Sequence, residues 1–166
     1  MERLFWGAAL SFVVVLLLAP RMIPLLHRLK FGQVVREDGP SRHQAKTGTP
    51  TMGGVLILVA AAIAVLATTE LSRTTWLLLA TTLAFGLLGF WDDYIKVVLK
   101  RNLGLKARQK LLGQILISGV FAVVASAVLQ RGTGIWVPWI DVTADVGVLF
   151  YLLVFLVLVG TTNGLT

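Results

Sequence analysis

The sequence has 166 residues, of which 57% are apolar and only 14% are charged, whereas soluble domains average about 45–50% and about 25%. This composition excludes an ordinary soluble domain, a disordered tail and a collagen-like chain, and the absence of cysteine excludes disulfides and thiolate metal sites. A net charge of +7 would suit nucleic acid in a soluble chain, but here apolar segments separate the basic residues. We therefore expect an all-α, polytopic integral membrane protein.

Five apolar runs without an internal charge are the candidate membrane-spanning helices. They are Leu4–Ala19, Gly53–Ala67, Thr75–Trp91, Leu111–Leu129 and Val146–Val159. Each is at or below the roughly 20 residues that cross about 30 Å of hydrocarbon, so we expect each helix to extend into its flanks. No repeat or long linker divides the chain, which predicts a single membrane domain over residues 1–166.

The orientation of this domain follows from the basic residues between the runs. Residues 20–52 and 92–110 contain six Lys and Arg each, whereas the other three outer segments contain one each. Because positively charged loops stay in the cytoplasm, both long loops are predicted to be cytoplasmic, with the N-terminus outside and the C-terminus inside. Segment 132–145 is predicted to be an outer loop.

The first cytoplasmic loop ends in a pattern that suits an anion. Thr49 and Thr51 precede the second apolar run, Gly53 and Gly54 open it, and Lys46 lies just upstream. Hydroxyl groups and free backbone N–H groups at a helix start bind anions. An ordinary helix cap beside a lysine that only sets topology is the alternative.

The third run ends in two adjacent carboxylates, Asp92 and Asp93, followed by Lys96. Mg²⁺ prefers hard oxygen ligands and keeps water and substrate phosphates in its shell. Neighbouring residues on a helix point about 100° apart, so one carboxylate could bind metal while the other orients a second group. Which one binds metal stays open. The alternative is an Asp92–Lys96 pair at i, i+4 that only ends the helix.

Several segments together resemble one family of membrane enzymes. The matching positions are 31–40, His43, Lys46, 48–54, 89–96, 104–110 and 159–163. In these positions the chain resembles the phospho-N-acetylmuramoyl-pentapeptide transferases (translocase I), and the resemblance covers essentially the whole chain.

The resemblance implies one half of a ten-helix membrane enzyme with Mg²⁺ as cofactor. That enzyme transfers phospho-N-acetylmuramoyl-pentapeptide from its UDP conjugate to undecaprenyl phosphate, giving lipid I and UMP in peptidoglycan synthesis. It acts at the cytoplasmic face of the bacterial inner membrane. By the same resemblance, Asp92 and Asp93 are the catalytic and metal-binding residues, and the substrate-binding residues are Lys46, Thr51, Lys96 and Asn163.

The chain resembles only the N-terminal half of that family. It stops three residues after Asn163, without the later cytoplasmic loops and five further helices, so we expect a fragment, a truncated gene product or an engineered piece. Two alternatives are a related transferase that uses UDP-GlcNAc and a non-catalytic five-helix membrane or partner protein. The expected partners are undecaprenyl phosphate, UDP-MurNAc-pentapeptide, membrane lipid, and a second copy or the missing half, but not nucleic acid.

Overall fold

The computed structural model describes residues 2–29, 53–99 and 104–164. Each of the five predicted runs contains a helix within these residues, and the described chain is mostly helical, as expected. The elements are α1 Glu2–Leu29, α2 Gly53–Thr68, α3 Arg73–Val97, α4 Ala107–Val123, strands β1 Gly134–Val137 and β2 Val142–Asp145, and α5 Leu149–Gly164. A π-helical turn, Val124–Val128, continues α4.

Three of these helices are long and apolar enough to cross a membrane: Glu2–Leu26, Arg73–Lys96 and Ala107–Val128. Helices α2 and α5 have 16 residues each, which is a rise of about 24 Å. Large apolar side chains such as Leu87 and Leu116 are exposed on the helices, as is typical of helices that cross a membrane. Length, composition and exposure together describe a membrane protein.

The described chain divides into two compact units, of which the first comprises residues up to 69 and residues 89–106. In this unit α1 packs against α2. Helix α2 is predominantly apolar. Ala60 and Ala64, four residues apart on α2, are buried, as small residues at a membrane helix interface usually are. Near the end of α2 the Thr68 hydroxyl donates to the carbonyl oxygen of Ala64 at 2.7 Å.

The second unit comprises residues 70–88 and 107 onward, and it contains the start of α3. Ser72 caps this helix, because its hydroxyl oxygen accepts the backbone N–H of Thr75 at 3.1 Å. Later in the unit α4 packs against α5. The buried side of α4 and its π-helical continuation carries small and polar side chains, namely Gln114, Ser118, Ala122, Ala125 and Ser126.

The predicted outer loop 132–145 contains a β-hairpin, in which β1 and β2 pair antiparallel from Gly134 opposite Asp145 to Val137 opposite Val142. At its tip Trp136 Nε1 donates to Asp141 Oδ1 at 2.9 Å. At its base the carboxylate of Asp145 accepts hydrogen bonds from the Thr133 hydroxyl and from the Gly147 backbone N–H. The Asp145 carboxylate therefore joins the two ends of the hairpin through hydrogen bonds.

The Asp145 carboxyl group makes the hairpin sensitive to acid. The hydrogen bond from Thr133, and then that from Gly147, lower its pKa below the ordinary 3.8. Because a lowered pKa stabilises the fold only while the carboxyl is ionised, this contribution is present above the ordinary value and disappears as pH falls through the lowered one. As the pH is lowered from about 7 to 2, the unfolding temperature should therefore fall further in the wild type than in Asp145→Asn. Parallel curves for the two proteins would contradict this role.

Candidate functional site

The acidic pair lies in the last turns of α3, which ends at Val97. Asp92 and Asp93 are both partly buried, and the neighbouring Ile95 is buried. Three aromatic rings share this helix end, with Tyr94 stacked on Trp91 at 6.0 Å and tilted against Phe90 at 6.1 Å between ring centroids. The two carboxylates thus lie at a helix end where aromatic side chains pack against one another.

Each carboxylate oxygen of Asp92 accepts a hydrogen bond. Oδ2 accepts from Lys96 Nζ at 2.5 Å, and Oδ1 accepts from the backbone N–H of Leu105 at 2.8 Å. The i, i+4 pair that the sequence spacing allows is therefore present. The side chain of Asp92 is only 13% exposed, compared with 38% for Lys96. Asp92 consequently joins the end of α3 to the segment that leads into α4.

This junction requires a glycine at position 104. Gly104 has a φ of +60°, and a Cβ placed there would overlap Asp92 Oδ1 and lie 2.5 Å from Lys96 Cε. An L-residue would meet both the unfavourable left-handed backbone and this steric overlap. Gly104 and Leu105 lie in the matching segment 104–110, but no role in the site was predicted for either residue. Their contact with Asp92 could not be predicted from the spacing, because Leu105 lies thirteen positions along the chain from Asp92.

Asp92 and Asp93 could supply only some of the ligands of a Mg²⁺ ion. Among residues 2–29, 53–99 and 104–164, no group of three or more His, Cys, Asp and Glu side chains is placed to hold a metal ion. The acidic pair offers two hard carboxylates, and both oxygens of Asp92 already accept hydrogen bonds. Such a pair fits an ion that takes most of its ligands from water and phosphate oxygens.

The structure brings Lys96 to Asp92, but it does not test the other predicted contacts. Lys46 and Thr51 lie outside the described residues. Asn163, in the last turn of α5, lies in the second unit. Its side chain exchanges hydrogen bonds with that of Gln114, a buried residue of α4 that the sequence analysis did not single out.

The sequence matches known transferases over nearly its whole length. It is 48% identical to the phospho-N-acetylmuramoyl-pentapeptide-transferase of Heliobacterium modesticaldum, over 98% of this chain and 51% of that protein. The protein of the same name from Desulforamulus reducens is 52% identical, over 95% of this chain and 49% of that protein. The one from Bacillus subtilis is 49% identical, over 93% of this chain and 48% of that protein. The chain thus spans about half the length of the curated relatives that it matches.

Two family descriptions match the chain itself. Residues 46–58 match the phospho-N-acetylmuramoyl-pentapeptide-transferase signature 1, and this range includes Lys46 and Thr51. Residues 75–165, more than half of the chain, match glycosyl transferase family 4. This range includes the acidic pair and Asn163. The resemblance expected from the sequence motifs is confirmed, and the chain belongs to glycosyl transferase family 4.

Proposed function

We propose that the protein carrying this chain transfers phospho-N-acetylmuramoyl-pentapeptide from its UDP conjugate to undecaprenyl phosphate, releasing UMP and forming lipid I. The observation that carries this proposal is the identity of about half the residues to transferases of that name over at least 93% of the chain. The signature match at residues 46–58 favours this substrate over UDP-GlcNAc. The chain supplies one part of such an enzyme.

We infer a topology of five spans in one membrane domain, with the N-terminus outside and the C-terminus in the cytoplasm. The twelve Lys and Arg residues of segments 20–52 and 92–110 support it, since basic loops remain cytoplasmic. On this topology the acidic pair lies on the side where UDP-linked sugars are found. The bacterial cytoplasmic membrane is then the location of the protein, with lipid around its helices.

In the proposed reaction an oxygen of undecaprenyl phosphate bonds to the sugar-linked phosphorus, while the pyrophosphate bond to UMP breaks. The attacking phosphate monoester is largely ionised at neutral pH because its second pKa is about 6. A strong general base is therefore unnecessary. The protein must instead neutralise the charge of two phosphate groups that approach each other.

We assign different tasks to the two carboxylates. Because both oxygens of Asp92 accept hydrogen bonds from Lys96 and Leu105, Asp92 is a positioning residue that fixes the start of the basic segment 105–110. Asp93 is the residue that we assign to the metal. Lys96 donates to Asp92 through one of its three N–H groups, and its 38% exposure leaves the ammonium group in reach of a substrate phosphate.

A bound Mg²⁺ would supply charge neutralisation at the phosphate oxygens. Asp93 would hold it from this chain, and the fit allows further ligands from water and phosphate. Lys46 and Thr51, in the matched signature, would bind substrate phosphate through an ammonium and a hydroxyl group. The prenyl tail would lie against exposed apolar helix faces, where a long hydrocarbon chain avoids water.

The experiment that tests this function is a donor comparison with the purified protein at its full natural length. UDP-MurNAc-pentapeptide or UDP-GlcNAc is supplied with undecaprenyl phosphate, and UMP release and the lipid product are measured. We expect UMP and a lipid-linked product from the first donor only. Turnover of UDP-GlcNAc alone would replace the proposed substrate, and no turnover of either donor would refute transferase activity.

A further inference from the structure

Gln114 is a polar residue in an otherwise apolar part of α4, and it is only 1% exposed. A buried amide is costly unless its hydrogen bonds are satisfied. Gln114 Nε2 donates to Asn163 Oδ1 at 3.3 Å, and Asn163 Nδ2 donates back to Gln114 Oε1 at 2.9 Å. The two side chains therefore form a reciprocal amide pair between α4 and α5.

The pair fixes which way the Asn163 amide faces. Asn163 Nδ2 also donates to the carbonyl oxygen of Val159 at 2.9 Å. An amide nitrogen carries two hydrogens, and both are directed to oxygen acceptors within the protein. Rotating the amide by half a turn would place its oxygen against two other oxygens, so the described orientation is the one that the hydrogen bonds select.

A second polar contact joins the same two helical segments. The hydroxyl groups of Ser126 and Tyr151 are 3.0 Å apart. Ser126 lies twelve residues after Gln114, and Tyr151 lies twelve residues before Asn163, so both contacts belong to one antiparallel register. The Ser126–Tyr151 contact is thus a natural control for the amide pair, since it lies at the other end of the same interface.

We propose that Gln114 is a positioning residue for Asn163 in the transferase, an inference that rests on the proposed function. Gln114 holds the Asn163 amide in one orientation at the end of α5, where the family match continues to residue 165. Gln114 would thereby fix the position of Asn163, the residue to which the resemblance gives a substrate-binding role.

The activity test compares Gln114→Leu, Asn163→Leu and the double variant in the protein at its full natural length. Misplacement of a binding group commonly costs up to about a hundredfold, and we expect each single variant to lose about ten- to a hundredfold in kcat/KM. Most of the loss should appear as a higher KM for the UDP-linked donor. The double variant should be no worse than either single one, because residues of one contact are not additive.

The exchange Gln114→Asn with Asn163→Gln keeps one amide on each helix, and it should recover most of the lost affinity for the donor. The control Ser126→Ala removes the contact with Tyr151. It should lower the unfolding temperature in detergent and leave the KM unchanged. If Gln114→Leu behaves like this control, with lower stability and an unchanged KM, the positioning role is refuted.

A second readout separates this inference from the proposed function. The unfolding temperatures of the Leu variants and their double variant form a cycle that requires no substrate. Non-additive shifts would support the amide pair, whereas additive shifts would refute it. A wild-type protein that transfers neither donor would refute the transferase function, and the cycle would still decide whether Gln114 and Asn163 are coupled.

Discussion

Replacing Asp93 by Asn in the full-length protein should lower turnover by about a thousandfold, a loss typical of removing one group that stabilises transition-state charge. The reason is that Asn cannot supply the negative oxygen that Asp93 would offer to Mg²⁺ on the proposed assignment. The variant should also need a higher Mg²⁺ concentration for half-maximal activity. Steady-state rates over a Mg²⁺ titration measure both effects.

Asp92→Asn and Lys96→Met are the matched controls for this variant. Each breaks the Asp92–Lys96 pair, and we expect an unchanged Mg²⁺ requirement from both. Asp92→Asn should lose about tenfold in activity, as expected for the loss of one charge-assisted hydrogen bond. Lys96→Met should lose more, because it also removes the ammonium group that we assign to a substrate phosphate. If Asp92→Asn raises the Mg²⁺ requirement and Asp93→Asn does not, the assignment of the two carboxylates is reversed. Activity that survives both substitutions would remove the acidic pair from the mechanism.

Gly104→Ala should be strongly damaging. The alanine would occupy a left-handed backbone conformation, at about 1–2 kcal/mol. Its Cβ would also overlap the Asp92 carboxylate and crowd Lys96 Cε, so these two side chains would have to move away from their present positions. We expect lower activity as well as a lower unfolding temperature, because the substitution separates Leu105 from Asp92.

Gly132→Ala is the control that measures the cost of the left-handed backbone conformation alone. Gly132 has a φ of +73°, and a methyl group added to it would meet no atom within 4 Å, whereas Gly104 has both the positive φ and the overlap. Only the left-handed conformation should therefore affect Gly132→Ala, which should keep its transferase activity. Equal losses of activity in the two variants would show that the contact between Gly104 and the Asp92–Lys96 pair has no role in turnover.

The sequence predicts the helices well because they depend on local composition. Runs of about 14 to 19 apolar residues without a charge have few alternatives to a helix in lipid. The boundaries depend on contacts that are less local. Helix α5 begins at Leu149 rather than at Val146, since Gly147 adopts a φ of +51° and donates to Asp145. Pro20 and Pro24 lie within α1, which continues to Leu29.

The site divides in the same way between local and distant contacts. The Asp92–Lys96 pair follows from i, i+4 spacing on one helix, and the motif identifies both residues. The contact from Asp92 to Leu105 joins residues thirteen positions apart, and it depends on how the chain returns after α3. Gln114 lies within an apolar run, and only its partner across the helix interface gives it a role.

The most direct test is to determine on which side of the membrane the motif residues lie. The chain has no cysteine, so single cysteines at Ala45, Lys106 and Trp139 can be labelled with an impermeant maleimide in intact cells and after permeabilisation. We expect labelling at 139 in intact cells, and labelling at 45 and 106 only after permeabilisation. Labelling of 45 and 106 from opposite sides would contradict this expectation, because Lys46 and the acidic pair could then not bind one diphosphate.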